Sequence, residues 1–134
     1  MKKTTWAGRI LCALTALFLS LDAVSHLMKP APVVDAFARL GFPLSLSVEL
    51  GVIVLICVAV YVIPRTSILG AILLTGYLGG AVATHLRVRD PLFDTIFPII
   101  IGVMVWGGPY LLDQRLRALI PFTQPRPKPS EPRQ

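Results

Sequence analysis

"FLSLDAVSHLMKP", Phe18 to Pro30, decides how this chain is read. The stretch closes a run apolar enough to enter a lipid bilayer, yet it carries Asp22, Ser25, His26 and Lys29 at intervals of three or four residues. That spacing puts the polar groups on one face of a helix. An acid at the centre of a membrane helix costs about 2.5 to 3.5 kcal/mol. Asp22 and His26 therefore either reach the interface or face other polar groups inside a bundle.

Outward from this stretch, the chain repeats the pattern of a bilayer span, which needs about 20 apolar residues. The first span runs from about Ala7 to Met28, and the second from Leu44 to Ile63 with Glu49 its sole charge. The third runs from Thr66 to Leu86, and the fourth from Leu92 to Leu112 with Asp94 its sole charge. The links "PRT" and "RVRDP" are short, while "KPAPVVDAFARLGFP" between the first two spans is longer. Its apolar spacing at Val33, Val34, Phe37 and Leu40 predicts a short interfacial helix. A basic start, "MKK", and the small residues "AVS" at 23–25 also fit a cleaved signal peptide. The acid and histidine beside that cut, and the helix partners its loss would remove, favour a retained span.

The composition of the 134 residues agrees: 54% are hydrophobic and 15% charged, against about a quarter charged in soluble domains. Mean hydropathy is +0.72. The net charge of +6 comes from residues at the ends and in short links. No basic stripe or aromatic–basic repeat points to nucleic acid. Cys12 and Cys57 lie far apart without CxxC or zinc spacing and read as packing residues, not a disulfide. The last fourteen residues hold five prolines, so 118–134 reads as a disordered cytoplasmic tail after a four-span domain at 1–117.

Four spans put the N-terminus, the middle link and the C-terminus on one side. That side holds nine Lys and Arg and the other holds Lys29, Arg39, Arg87 and Arg89. The positive-inside rule then makes both termini cytoplasmic in a multi-pass protein of the cell (plasma, or inner) membrane. In that topology Asp22, His26, Glu49, His85 and Asp94 all fall in the outer half. Asp94 opens its helix, where a carboxylate suits the dipole, and Arg89, Asp90, Lys29 and Arg39 read as interfacial. Asp22 and Glu49 lie about 7 to 9 Å inside, at 1.5 Å per residue. Together with His26 and His85 they form the expected ligand pocket, opening outward.

No catalytic or metal set is assigned: no nucleophile motif, phosphate loop or dinucleotide fingerprint occurs, and only Asp22/His26 has ligand spacing. Gly76, Gly79 and Gly80 form a small-residue face expected to pack against another helix. Pro98 is expected to kink the fourth span, and "WGGPY", Trp106 to Tyr110, to loosen its cytoplasmic end.

The run "GYLGGAVATHLRV", Gly76 to Val88, resembles the third-helix signature of the DoxX-like membrane proteins. Asp22 and Lys29 at the end of the first span, Pro30 and Gly41 around the first loop, Glu49, and "YVIPRTSILGAILLTGYLGG" resemble that family too. The resemblance implies kinship with small membrane subunits of thiosulfate:quinone oxidoreductases and of other sulfur or thiol redox systems. No cofactor is assigned, and quinone is the candidate that a redox accessory role would bring, with a redox protein as candidate partner. The spans themselves imply the bilayer, and a second copy of the chain is a further candidate. The outer half has no cysteine pair for thiol–disulfide chemistry of its own. The whole reads as an all-α, antiparallel four-helix membrane bundle serving as a redox accessory rather than an enzyme alone. A proton-coupled carrier and a non-catalytic scaffold are the alternatives: a buried acid suits a carrier, but the polar residues reach only halfway across.

Overall fold

The hydrophobic periodicity resolves into helices throughout the computed structural model, which describes residues 2–120. α1 spans Lys2–Met28, α2 Ala31–Leu40, α3 Ser45–Val62, α4 Ser67–Arg87, α5 Leu92–Leu112 and α6 Gln114–Leu119. α1, α3, α4 and α5 are long and apolar enough to cross a membrane. α1 starts before the expected Ala7 because no proline interrupts the preceding residues, and Gly8 packs against Leu111 and Leu112. The short helix expected between the first two spans is α2. The disordered tail expected at 118–134 lies, from 121 onward, outside the described residues, and α6 carries helix as far as Leu119.

Chain punctuation explains the boundaries. Lys29 takes a left-handed conformation (φ 54°) after α1, and Pro30 and Pro32 then start α2, where the missing proline N–H groups cost no helical bond. Gly41 closes α2 at φ 74°, its N–H donating to the Ala38 carbonyl while Phe42 N–H donates to Phe37. This is the left-handed cap that glycine adopts without a Cβ penalty.

The long helices form a ring: α1 packs on α3 and α5, and α4 packs on the same two. Leu19 and Ala23 of α1 meet Val54 and Tyr61 of α3 in the core. Ala71 and Leu74 of α4 and Ile101 and Val105 of α5 complete it. The outside is as apolar as the inside, with Leu14, Leu17 and Leu21 of α1 and Val52 and Ile56 of α3 all exposed. Such a surface suits lipid, where helices associate by close contact and hydrogen bonding in place of the hydrophobic effect.

The close contacts are not where the small-residue motif placed them. A Cβ on Gly76, Gly79 or Gly80 would meet nothing within 4 Å. The tight approaches are Gly51 to the Ala23 carbonyl and Leu27, Gly70 to the Tyr61 backbone, and Gly108 to Cys12. Pro98 and Pro109 both lie inside one unbroken α5. The end of that helix is not loosened, because Gly107 and Gly108 let α1 settle against it at Leu11 and Cys12.

Bonds between helices tie the ring. Ser47 Oγ of α3 donates to the His26 carbonyl of α1 at 2.6 Å. Trp106 Nε1 of α5 donates to Thr75 Oγ1 of α4 at 2.7 Å. Tyr61 of α3 reaches across the bundle to donate to the Val105 carbonyl of α5 at 2.9 Å. That carbonyl lies four residues before Pro109, which has no N–H to give it. The tyrosine supplies the missing donor.

Candidate functional site

α1 ends, α3 begins, α4 ends and α5 begins around one end of the bundle, and α2 lies across it. A cavity of about 750 Å³ opens there. Most of its wall is apolar: Phe18 of α1, Leu50 and Ile53 of α3, Phe97 of α5, and Val33 and Phe37 of α2. Its polar side chains are Asp22 and His26 of α1 and Tyr77, Thr84 and His85 of α4.

Three of the four pocket residues expected from the sequence are brought together: Asp22, His26 and His85. Glu49 is not. It is exposed and absent from the lining. Buried Ser47, Gly51 and Val54 fix the inward face of α3, and at 100° per residue position 49 falls well outside that face.

The helix ends set the state of each imidazole. His26 Nδ1 sits 2.8 Å from the Asp22 carbonyl oxygen one turn back. An oxygen acceptor there requires Nδ1 to carry the proton, which leaves Nε2 as the free ring nitrogen. The Asp22 carboxylate is a looser neighbour, with Oδ2 3.7 Å from Nδ1, so the pairing inferred from their i, i+4 spacing runs chiefly through the backbone. The ring edge also packs on Phe37 of α2, with centroids 5.7 Å apart.

His85 Nδ1 likewise donates, to Asp90 Oδ2 at 2.6 Å. Arg89 turns the chain in a left-handed conformation (φ 53°), and Asp90 N–H then donates to the His85 carbonyl. This helix-terminating bond places the Asp90 side chain beside the imidazole. Asp90 also receives Arg39 of α2, whose Nε lies 3.2 Å from Oδ1, and its side chain is only 4% exposed. Arg87 donates to the Leu40 carbonyl at 2.5 Å and lies over the Phe42 ring. Asp90 and Arg39, expected at the interface, also form an ion pair that joins α2 to the α4–α5 turn. Asp94 is peripheral, 3.9 Å from Arg39.

Sequence reasoning missed Tyr77. Its hydroxyl has no hydrogen-bond partner among the described residues and lies within electrostatic reach of Asp22. Its place at i−8 from His85, on the same α4 face, was the available signal. Gly76 and Gly80 also line the cavity, while Gly79 belongs to a separate, apolar groove of about 540 Å³ between α4 and α5. Among the described residues no group of three or more His, Cys, Asp or Glu is placed to hold a metal ion. Cys12 and Cys57 are both free thiols.

An all-helical chain with four membrane-length helices and an apolar exterior defines a small multi-pass membrane protein. The model of the DoxX-like family matches residues 10–108, and the chain belongs to that family. The match takes in every residue named in the cavity. No curated protein and no solved structure matches the chain.

Proposed function

We propose that this protein binds a lipid-soluble quinone in the α2-covered cavity and presents it to a redox partner of sulfur or thiol chemistry. The observation that carries the reading is the partition of the cavity: an aromatic and aliphatic wall with polar groups confined to Asp22, His26, Tyr77, Thr84 and His85. Ligand sites of a few hundred cubic ångströms with a few convergent polar groups have this make-up. A flat ring with oxygens on opposite edges fits such a set. Tyr77 donates its unpartnered hydroxyl to one ring oxygen, while the free Nε2 of His26 accepts from a ring hydroxyl in the reduced form. His85, its Nδ1 bonded to Asp90, adds a second imidazole to the polar set. Asp22 takes up or releases a proton beside the ring. The quinone, when bound, supplies the capacity to carry two electrons and two protons, and the partner protein supplies the electrons.

The same reading gives the topology. The short links at 63–66 and 88–91 favour antiparallel neighbours, and the nine Lys and Arg against four support cytoplasmic termini in the cell membrane. The cavity then opens toward the outer face.

Native mass spectrometry in a mild detergent tests the assignment. Wild-type protein should carry added benzoquinone mass, and Tyr77→Phe should weaken retention about tenfold, the equivalent of one hydrogen bond. His26→Ala should weaken it as well, whereas Glu49→Gln should leave it unchanged. Phospholipid alone, equal on all of these proteins, would overturn the reading and favour a scaffold.

A further inference from the structure

The contact between α3 and α4 is tightest near the start of α4. At Gly70 they are pressed together so closely that a Cβ would collide with the Tyr61 backbone. Gly76 and Gly80 lie about 9 and 15 Å further along α4, at 1.5 Å per residue, and are turned about 120° and 80° around the helix from Gly70. A Cβ at either meets nothing within 4 Å. Both glycines line the cavity and yet are exposed, as are Leu73 beside them and Ile53 on α3. The cavity is therefore open sideways, through a slot between α3 and α4. Leu69 and Ile72 of α4 and Val52 and Ile56 of α3 are all exposed, so the outer surface of both helices is apolar.

We infer that this α3–α4 slot holds the hydrophobic tail of the molecule whose ring sits at His26 and Tyr77. The inference rests on the quinone reading above and deepens it: the ligand is a tailed, membrane-dissolved quinone that enters laterally from the bilayer. The chemistry of the lining decides the occupant. The polar side chains of the cavity, Asp22, His26, Tyr77, Thr84 and His85, all come from α1 and α4, whereas Leu50, Ile53, Leu73 and the two glycines offer a tail a contact area without a side-chain donor or acceptor. The cavity volume also exceeds what a single ring fills. Gly76 and Gly80 are specificity-determining because side chains there would project into the space the tail crosses. Gly79, on the opposite flank of α4, would not affect it.

The test is photolabelling of the full-length protein in lipid nanodiscs. The probe is a benzoquinone whose alkyl tail ends in a diazirine, and label is mapped by peptide mass spectrometry with and without excess tailless benzoquinone. Label on α3 and α4 around Leu50, Ile53 and Leu73, displaced by the tailless ring, is the expected result. Gly76→Leu and Gly80→Leu should each cut that label at least fivefold, and Gly79→Leu should not. Ile53→Trp, on the opposite wall, gives a second block should a glycine variant fail to fold. Displaceable label in the α4–α5 groove at Ile99 or Val103 would overturn the slot while leaving the ring site standing. Label at the slot that the tailless ring does not displace would mark an ordinary lipid cleft and overturn the inference. Absence of displaceable label anywhere would remove the ring site and the slot together.

Discussion

Tyr61 shows how one side chain offsets a defect elsewhere in the chain. Pro109 leaves the Val105 carbonyl without its helical donor, and the Tyr61 hydroxyl fills that role from across the bundle. In lipid no water stands by to replace it. Tyr61→Phe should therefore lower stability by about 1–3 kcal/mol, the cost of an unsatisfied buried acceptor, measured by thermal unfolding in detergent. Restoring the α5 donor with Pro109→Ala should recover part of that loss in the double variant. Asp90 gives the second residue-scale case. It is nearly fully buried and receives both His85 and Arg39, so Asp90→Asn should cost about 1–3 kcal/mol. Asp94→Asn, at a longer and more exposed contact, should cost less than about 0.5 kcal/mol. Arg89 holds φ 53°, a conformation that costs a residue with a Cβ about 1–2 kcal/mol. Arg89→Gly should accordingly raise the unfolding temperature in the same assay.

At the scale of elements, the boundaries were legible and the contacts were not. Span lengths, the short helix before Gly41 and the brief links follow from apolar run length and from Pro and Gly placement, which are local signals. Glycine spacing did not say which face of α4 meets another helix. GxxxG permits close approach without requiring it, and here the approach falls at Gly70, opposite Tyr61. Gly70→Leu and Gly108→Leu should each lose several kcal/mol or fail to fold, since overpacking a filled contact costs about 1–3 kcal/mol even where neighbours can move. Gly79→Ala should instead stabilise by up to about 1 kcal/mol through helix propensity. Thermal unfolding and size-exclusion profiles would separate the two outcomes. Glu49 illustrates the same limit. Its depth along α3 could be counted from the sequence, but its direction depended on which flank of α3 packs against α1, fixed by Ser47 and Gly51.

For the whole molecule, the apolar exterior and the distribution of Lys and Arg act together. A surface bearing Leu17, Leu21, Val52, Ile56, Ile99 and Val103 belongs in a bilayer, and the proposed direction follows from the charge bias. A fluorescent protein fused to the C-terminus should fluoresce, and a periplasmic reporter fused at the same point should stay inactive. The opposite pair of signals would invert the topology and turn the cavity toward the cytoplasm. The clamp of α2 by Arg39 and Arg87 is also a property of the whole bundle, since it joins residues nearly fifty positions apart. Arg87→Ala should increase hydrogen exchange in α2 while sparing the Tyr61 end of α3 and α4.

By itself the sequence determined a membrane protein with four spans, and it showed that Asp22, His26 and His85 share one end. It did so because insertion depends on the apolar length of each segment, and depth follows from counting residues along a helix of fixed rise. Only the tertiary structure decided that Asp90 backs His85, that Tyr77 joins the cavity, that Glu49 stays outside, and that the glycines of α4 border an opening. Those outcomes depend on the rotation of each helix about its axis. Contacts between distant parts of the chain set that rotation: Ser47 on His26, Gly70 on Tyr61, and Tyr61 on the carbonyl that Pro109 leaves unpaired.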